Sequence, residues 1–138
     1  MTKDELMTKD ELMTKQNEDW PKELRLKEGG RLLSIEFESG RAFDLNAEYL
    51  RVMSPSAEVQ GHSPQERKTV AGKRNVTITG IEPVGTYAAR LVFADGHSTG
   101  IYTWTYLYEL GDAFEEKWAF YLAELAQKGL ARDRPGEA

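Results

Sequence analysis

The sequence predicts an α+β domain: a mostly antiparallel sheet built from two β-β-α hairpin units, with a C-terminal helix packed on it. Three observations lead to this fold class. Short segments alternate apolar and polar residues between glycine turns, each group of segments runs into a capped helix, and a last helical segment carries one apolar stripe. A chain of 138 residues with three Trp, six Tyr and five Phe provides one core and one domain.

The first unit begins with three predicted strands. They cover residues 23–27, 31–37 and 42–45. Gly29-Gly30 and Ser39-Gly40 separate them, and glycine supplies the positive φ that tight hairpins need. The first unit is therefore predicted to be a three-stranded meander.

The second unit repeats this order after a polar loop. Its predicted strands cover residues 76–84, 87–93 and 98–103. Asp95-Gly96 forms the turn between the last two of these strands. The matching order of strand, Phe, turn, strand and helix in both halves indicates a duplicated unit.

Each unit ends in a short helix with recognisable boundaries. Asn46 caps the first helix, and Pro55 ends it because proline disfavours the α conformation in the residue before it. Thr103 caps the second helix, which is expected to stop at Gly111.

The last helix is predicted over residues 113–128. Asp112 and Glu115 match a capping box, and Gly129 marks the end. Phe120 faces away from the apolar stripe and is the first candidate for a partner contact outside the loops. The stripe itself is predicted to face the core; it consists of Phe114, Trp118, Tyr121, Leu122 and Leu125.

Two terminal segments lack the pattern of a packed element. Residues 1–19 repeat a polar six-residue unit with one Leu per copy, and are expected to form a disordered tail. Residues 130–138 are expected to form a second disordered tail. The predicted domain is therefore residues 20–129.

Charge and composition limit the partners and the compartment. The net charge is −5, of which −3 lies in residues 1–19, so the body is nearly neutral and no nucleic-acid surface is expected. The basic cluster Arg67, Lys68, Lys73 and Arg74 lacks interleaved aromatic residues for base stacking. There is no apolar run of membrane-spanning length and no cysteine. We expect a cytoplasmic protein with no membrane partner.

No catalytic motif stands out. HExxH, a Walker loop, the dinucleotide glycine pattern and GxSxG are all missing from the sequence. An iron site of the two-His, one-carboxylate kind would have to use His62 and His97 with Glu58 or Asp95. Ser98 follows His97 directly, and adjacent strand residues point to opposite faces. We therefore predict no catalytic residue, no bound metal and no cofactor.

Three stretches carry a family resemblance: "LNAEYLRVMSPSAEVQGH", "VTITGIEPVGTYAARLVFADGHSTGIYTWTYLYELG" and the preceding "ELRL" meander. With these, residues 20–129 resemble the gamma-butyrobetaine hydroxylase-like N-terminal domain. That family occurs alone in bacteria, in front of gamma-butyrobetaine and trimethyllysine hydroxylases, and on some P-loop iron-sulfur carrier proteins. The oxygenases' iron site belongs to a separate, later domain. The resemblance therefore implies the accessory fold and not hydroxylation.

The resemblance also implies that a metal site has been lost. In metal-bearing members, a C-x-C-x-x-C run follows the first helix and a hairpin His completes a zinc tetrahedron. That pattern places Ser54, Ser56 and Val59 at the thiolate positions and His97 at the imidazole position. A serine hydroxyl does not ionise near neutral pH and valine has no lone pair to donate. The loop is then expected to keep its shape through the Pro55 turn, serine hydrogen bonds and packing of Val59.

Two functions follow from these observations. The favoured one is a non-catalytic protein-binding module with an unidentified protein partner, whose contact surface is loop 54–66, the second hairpin and the following helix. The residues expected there, with Phe120 on the last helix, are His97, Tyr102, Trp104, His62 and Phe120. The alternative is a small-ligand-binding, metal-binding or enzymatic role with His97 as acid or base. A deep cavity at a charge-coupled His97 would favour the alternative, and core packing of Tyr102 and Trp104 would remove them from the surface.

Overall fold

The computed structural model of the chain describes residues 19–134 and confirms the α+β class. Two three-stranded antiparallel sheets each run into a helix, and a long helix follows. Nearly all of the predicted N-terminal tail, residues 1–18, and the last four residues of the predicted C-terminal tail lie outside the described residues.

The first half is the predicted meander. Its strands have the order β1-β2-β3, and Ile35 pairs with Leu24 on one side and Phe43 on the other. The elements are β1 (Pro21–Lys27), β2 (Leu32–Phe37), β3 (Ala42–Asn46), α1 (Ala47–Val52) and α2 (Ala57–Gln60).

The second half repeats the meander and adds the last helix. Its strands have the order β4-β5-β6, and Leu91 of β5 pairs with Ile81 of β4. The elements are β4 (Ile78–Val84), β5 (Ala88–Phe93), β6 (Ile101–Thr103), α3 (Trp104–Asp112) and α4 (Phe114–Lys128).

Side-chain caps start the two unit helices as predicted. The Asn46 side chain accepts a hydrogen bond from the Tyr49 amide at 2.7 Å, and the Thr103 hydroxyl accepts one from the Tyr106 amide at 3.1 Å. These bonds satisfy amides that have no partner in the first turn of a helix. Gly129 ends α4 with a left-handed φ of 68°, also as predicted.

The boundary between α3 and α4 lies within one residue of the predicted one, but Gly111 and Asp112 do not have the predicted roles. Gly111 lies inside α3, and a β-carbon there would come within 2.4 Å of the Phe43 ring. The glycine is therefore used for close packing on β3 and not for ending the helix. Asp112 does not cap α4; its carboxylate accepts a hydrogen bond from Arg41 at 3.0 Å.

The core lies between the sheets and the helices. Leu33, Ile35 and Phe37 of β2 are fully buried, as is Tyr121 of α4. Leu122 was predicted to face this core, but it is 39% exposed. The buried side of α4 is narrower than predicted and contains Tyr121 and Leu125 but not Leu122. Burial of this continuous apolar cluster is the main source of stability for the fold.

Tyrosine hydroxyls join the two halves. Tyr49 of α1 donates to the Leu110 carbonyl of α3 at 2.7 Å, and Tyr102 of β6 donates to the Leu50 carbonyl of α1 at 2.5 Å. Tyr106 of α3 donates to the Met53 carbonyl at 2.6 Å. Each half therefore satisfies polar groups that belong to the other.

Residues 130–134, here called the strap, do not form the expected tail. The Gly72 amide donates to the Ala131 carbonyl at 2.9 Å, and the Arg132 guanidinium binds the buried Glu48 carboxylate. The strap therefore packs on the domain that was predicted to end at residue 129.

Candidate functional site

A buried hydrogen bond between Ser54 and His97 joins the loop after α1 to the second hairpin, while the buried Ser56 hydroxyl has no partner within the described residues. Ser54 is fully buried, and Ser56 and Val59 are nearly so, at 6% and 3% exposure. The Ser54 hydroxyl lies 2.9 Å from Nε2 of His97, which is itself only 9% exposed. The structure thus brings Ser54 and His97 together from positions 43 residues apart.

The tight turn of the second hairpin fixes His97. Gly96 adopts a φ of 95°, and the Asp95 carboxylate accepts a hydrogen bond from the His97 amide at 3.0 Å. The His97 carbonyl in turn accepts from the Phe93 amide at 2.9 Å. This turn aims the imidazole at the loop after α1.

A carboxylate lies on the far side of the His97 ring. Nδ1 of His97 lies 3.3 Å from Glu58, and Glu58 also accepts a hydrogen bond from the Thr99 hydroxyl at 2.8 Å. A carboxylate can only accept, so a neutral ring with its proton on Nδ1 faces Glu58 favourably and leaves Nε2 to accept from the Ser54 hydroxyl. The order serine, histidine, carboxylate is that of a nucleophilic triad.

The serine of this triad has no approach from solvent. A β-carbon at Gly100 would lie 2.4 Å from the Ser54 oxygen, so the Gly100 backbone covers the hydroxyl closely. The Ser56 amide also donates to that oxygen, at 3.3 Å. A nucleophile must contact its substrate, so this arrangement supports a structural cluster.

Cations surround the turn next to His97. Asp95 accepts from Arg51 at 2.9 Å and from Lys73 at 2.6 Å. Burial alone would raise the pKa of Asp95, but hydrogen bonds from Lys73, the His97 amide and Arg51 lower it to about 2. Burial, followed by the field of Arg51, lowers the pKa of His97 below its usual 6.5.

The lowered pKa of His97 predicts a loss of stability in mild acid. The unfolded chain binds a proton at His97 more readily than the folded one, so stability falls as the pH drops below 6.5, by at most about 1.4 kcal/mol per pH unit. The contribution of Asp95 is lost only below pH 3.8. Urea unfolding monitored by tryptophan fluorescence at pH 7, 6 and 5 measures this dependence.

The two histidines of the chain provide the control. His97→Gln should remove most of the slope between pH 7 and 5, whereas His62→Gln should keep it, since His62 is exposed. An equal slope in the wild type and in His97→Gln would contradict the assignment to His97.

The other predicted contact residues do not form one surface. Tyr102 is fully buried and bonded to Leu50, so its placement on a contact surface was wrong; the aromatic ring is part of the core. Trp104 is half-buried and donates to the Thr86 carbonyl at 2.8 Å. His62 is exposed, and its amide donates to Glu66 at 2.7 Å.

Phe120 is exposed as predicted, at 59%, and it borders a groove. The groove has a volume of about 430 Å³. The Arg67 guanidinium lies 5.8 Å from the centre of the Phe120 ring and bonds Glu124 at 2.7 Å. The Phe120 groove is lined by Met53, Gln60, Arg67, Tyr106, Ala113, Glu116, Lys117 and Phe120.

Comparisons with known proteins identify the family. The family model for "Gamma-butyrobetaine hydroxylase-like, N-terminal" matches residues 24–108. The chain belongs to this gamma-butyrobetaine hydroxylase-like N-terminal family. None of the curated proteins matches it. The matched region contains Ser54 and His97 but neither α4 nor the strap.

Solved structures similar to this family member have no stated activity. Two NMR solution structures are each 46% identical to it, with TM-scores of 0.73 and 0.72. The first match covers 87% of this chain and 94% of the matched chain. The second match covers 83% of this chain and 85% of the matched chain. A crystal structure of an Acidithiobacillus ferrooxidans protein of unknown function from the DUF971 family is 35% identical, with a TM-score of 0.56, and the match covers 70% of this chain and 94% of that one.

The donor set around His97 does not fit zinc. The Ser54 hydroxyl is used in the bond to Nε2, the nitrogen facing the loop, and Val59 offers only aliphatic carbon. Within residues 19–134, no three His, Cys, Asp or Glu side chains come together as a metal site. The described helices also include none that is long and apolar enough to cross a membrane.

Sequence reasoning missed two parts of this surface. Glu58 was considered only as an iron ligand and not as the partner of Nδ1, although its place in a one-turn helix after Ser56 puts it near the loop. The Phe120 groove combines residues from α3, α4 and loop 60–67. No periodicity in the sequence links such distant segments.

Proposed function

We propose that this family member is a non-catalytic accessory domain that binds a protein partner. The observation that carries the proposal is the contrast between two places. Ser54 and His97 are buried and hydrogen-bonded to each other, whereas Phe120 and its groove are open to solvent. The polar cluster therefore shapes the domain, and the groove is available for contact.

The Phe120 groove has the composition of a binding surface. Met53, Tyr106 and Phe120 supply apolar area, and Arg67 supplies a charged group held in place by Glu124. Aromatic residues, Met and Arg are enriched at the centres of protein interfaces. The volume of about 430 Å³ is sufficient for an inserted side chain.

The ion pairs on the basic cluster support a protein partner over a phosphate backbone. Arg67 pairs with Glu124, Lys73 with Asp95 and Arg74 with Asp133. A phosphate would have to compete with each of these carboxylates. A cytoplasmic location is part of the same proposal and rests on the sequence.

Two exposed residues of α4 make a matched test of the groove. Phe120→Ala removes a groove residue, while Leu122→Ala removes an apolar side chain, 39% exposed, that does not line it. A partner captured from cell lysate, then purified, should bind the Leu122 variant like the wild type and the Phe120 variant at least about tenfold more weakly. Equal binding by both variants would refute the groove as the contact surface.

A second candidate function is the binding of a small ligand or a metal at His97. This function would connect the domain with iron-sulfur or oxygenase systems. The observation that favours it is Glu58: its carboxylate lies 3.3 Å from Nδ1, is 65% exposed and so connects the buried ring to solvent. NMR titration of the His97 ring signals with Zn²⁺ decides between the two. Stoichiometric shifts support this candidate, and unchanged signals support the structural role.

The loss of the family's zinc site is also part of the proposal. The buried positions of Ser54, Ser56 and Val59, with Ser54 in contact with His97, support it. Changing all three to cysteine should create a site for one zinc ion per chain, measured by elemental analysis after gel filtration.

The matched control for the cysteine variant adds His97→Ala, which removes the fourth ligand and should weaken zinc binding strongly. If the triple variant binds no more zinc than the wild type, these three side chains do not converge on His97 and the proposed loss is wrong.

A further inference from the structure

The strap attaches to the domain through its backbone. The amides of Gly72 and Arg74 donate to the successive carbonyls of Ala131 and Arg132, at 2.9 and 3.0 Å. Such main-chain bonds accept any side chain on the added segment. Successive carbonyls of an extended chain point to opposite sides, and the strap is accordingly bent at Arg132 and Asp133. The segment 72–74 therefore presents two donors that a bent peptide can use.

One side chain of the strap occupies a specific subsite. The Arg132 guanidinium donates to both oxygens of Glu48, with distances of 2.7 to 3.2 Å, and lies 5.1 Å from the centre of the Trp118 ring. Glu48 is 4% exposed. A buried carboxylate beside an aromatic face selects the planar guanidinium of arginine over the ammonium of lysine.

The next strap residue contacts a second charged group. Asp133 pairs with Arg74 at 2.5 Å, and both side chains are about two-fifths exposed. The domain thus offers two main-chain donors for peptide carbonyls and a subsite at Glu48 for an arginine side chain. It also offers the Arg74 cation for a carboxylate side chain on the next peptide residue. These features together define an Arg-Asp or Arg-Glu sequence in a bent peptide.

Little apolar area holds the strap in place. Leu130 is 42% exposed and Ala131 is exposed, and none of the residues of the strap belongs to the buried apolar cluster. Its contacts are polar ones that another segment of the same sequence type can reproduce. Replacement of the strap by such a segment would therefore leave the apolar packing of the core unchanged.

We propose that the strap occupies in cis a binding site for an Arg-Asp or Arg-Glu peptide of a partner protein, bound with the same bend. The site is formed by Glu48, Trp118, Gly72 and Arg74. It is separate from the Phe120 groove and does not depend on it. Because the strap is tethered, it competes at a high effective concentration, so the site is self-inhibited until a partner displaces the strap.

The test uses the full-length chain with both strap anchors removed, Arg132→Ala with Asp133→Ala. The probe is an acetylated, amidated peptide of sequence Leu-Ala-Arg-Asp-Arg, titrated while the amide signals of Gly72 and Arg74 are followed by NMR. We expect this variant to bind the peptide at least about tenfold more tightly than the wild type. Arg25→Ala is the matched control; it removes an exposed arginine of β1, outside the strap and the proposed site, and should behave like the wild type.

Specificity is tested with two altered peptides and one groove variant. Replacing the first arginine of the peptide with alanine should abolish binding, and replacing it with lysine should weaken it about tenfold or more. Phe120→Ala should leave peptide binding unchanged, so failure of the groove and failure of this site give different results.

A wild-type measurement covers the case in which the double variant does not fold. In the isotope-labelled full chain, excess peptide should move the amide signals of Arg132 and Asp133 to the positions of a free peptide. Absence of displacement in the wild type, or equal binding of the alanine peptide by the folded variant, would show that the strap is only structural and overturn the proposal.

Discussion

Replacing Gly30 with alanine is expected to destabilise the domain by about 3 kcal/mol or more. Gly30 has a φ of 89°, and a β-carbon there would lie 2.2 Å from the carbonyl oxygen of Ile78. That oxygen belongs to β4, so the first sheet would have to move away from the second. Urea unfolding followed by tryptophan fluorescence measures the loss.

The neighbouring glycine separates backbone strain from this contact. Gly29 also has a positive φ, 67°, but a β-carbon there would meet nothing within 4 Å. Gly29→Ala should therefore cost only the strain, about 1 to 2 kcal/mol. Equal losses in the two variants would show that the approach of Gly30 to Ile78 does not matter.

Arg132→Ala is expected to cost about 3 kcal/mol, the lower end of the range for breaking a buried ion pair. The change leaves the Glu48 carboxylate, 4% exposed, without its cation and removes the contact with Trp118. Arg132 is itself 29% exposed, so water replaces part of the lost interaction. The free energy of urea unfolding measures the effect.

Two further variants assign the loss to the pair. Arg25→Ala, in β1, should cost less than about 0.5 kcal/mol because the ion pair that it removes, with Glu23, is exposed. Adding Glu48→Gln to Arg132→Ala should recover part of the stability, since a neutral amide is less costly to bury than an unpaired carboxylate. A double variant as unstable as the sum of the single ones would contradict direct coupling.

Local features of the fold could be predicted from the sequence. The caps at Asn46 and Thr103, the stop at Gly129 and the exposure of Phe120 each depend on a few neighbouring residues. The order of strands in both sheets followed from hairpins, which pair neighbours along the chain.

Features that depend on distant contacts could not be predicted. Gly111 has the signature of a helix end, and α3 does end one residue later, but the packing of the Phe43 ring against this glycine has no local signal. Arg132 lies in a polar terminal segment whose composition is typical of a frayed end. Its partner Glu48 lies 84 residues away in the sequence. Nothing local distinguishes such residues from a solvated terminus.

The candidate site shows the same division. The resemblance to the family led to Ser54 and His97, which the structure places 2.9 Å apart. It did not indicate Glu58 on the other ring nitrogen, nor the Gly100 backbone over the hydroxyl. Those two contacts join residues that are distant in the sequence and meet only in the folded chain. They determine whether the cluster is reactive or structural.

The tyrosine bonds between the halves bear on the history of the fold. The two units share the order of three antiparallel strands followed by a helix, as two copies of one unit would. Today Tyr49 serves a carbonyl of the later unit, and Tyr102 serves one of the earlier unit. Removing either unit would leave a buried carbonyl of the other without its hydrogen-bond donor. The two units therefore depend on each other and have to be kept together in one chain.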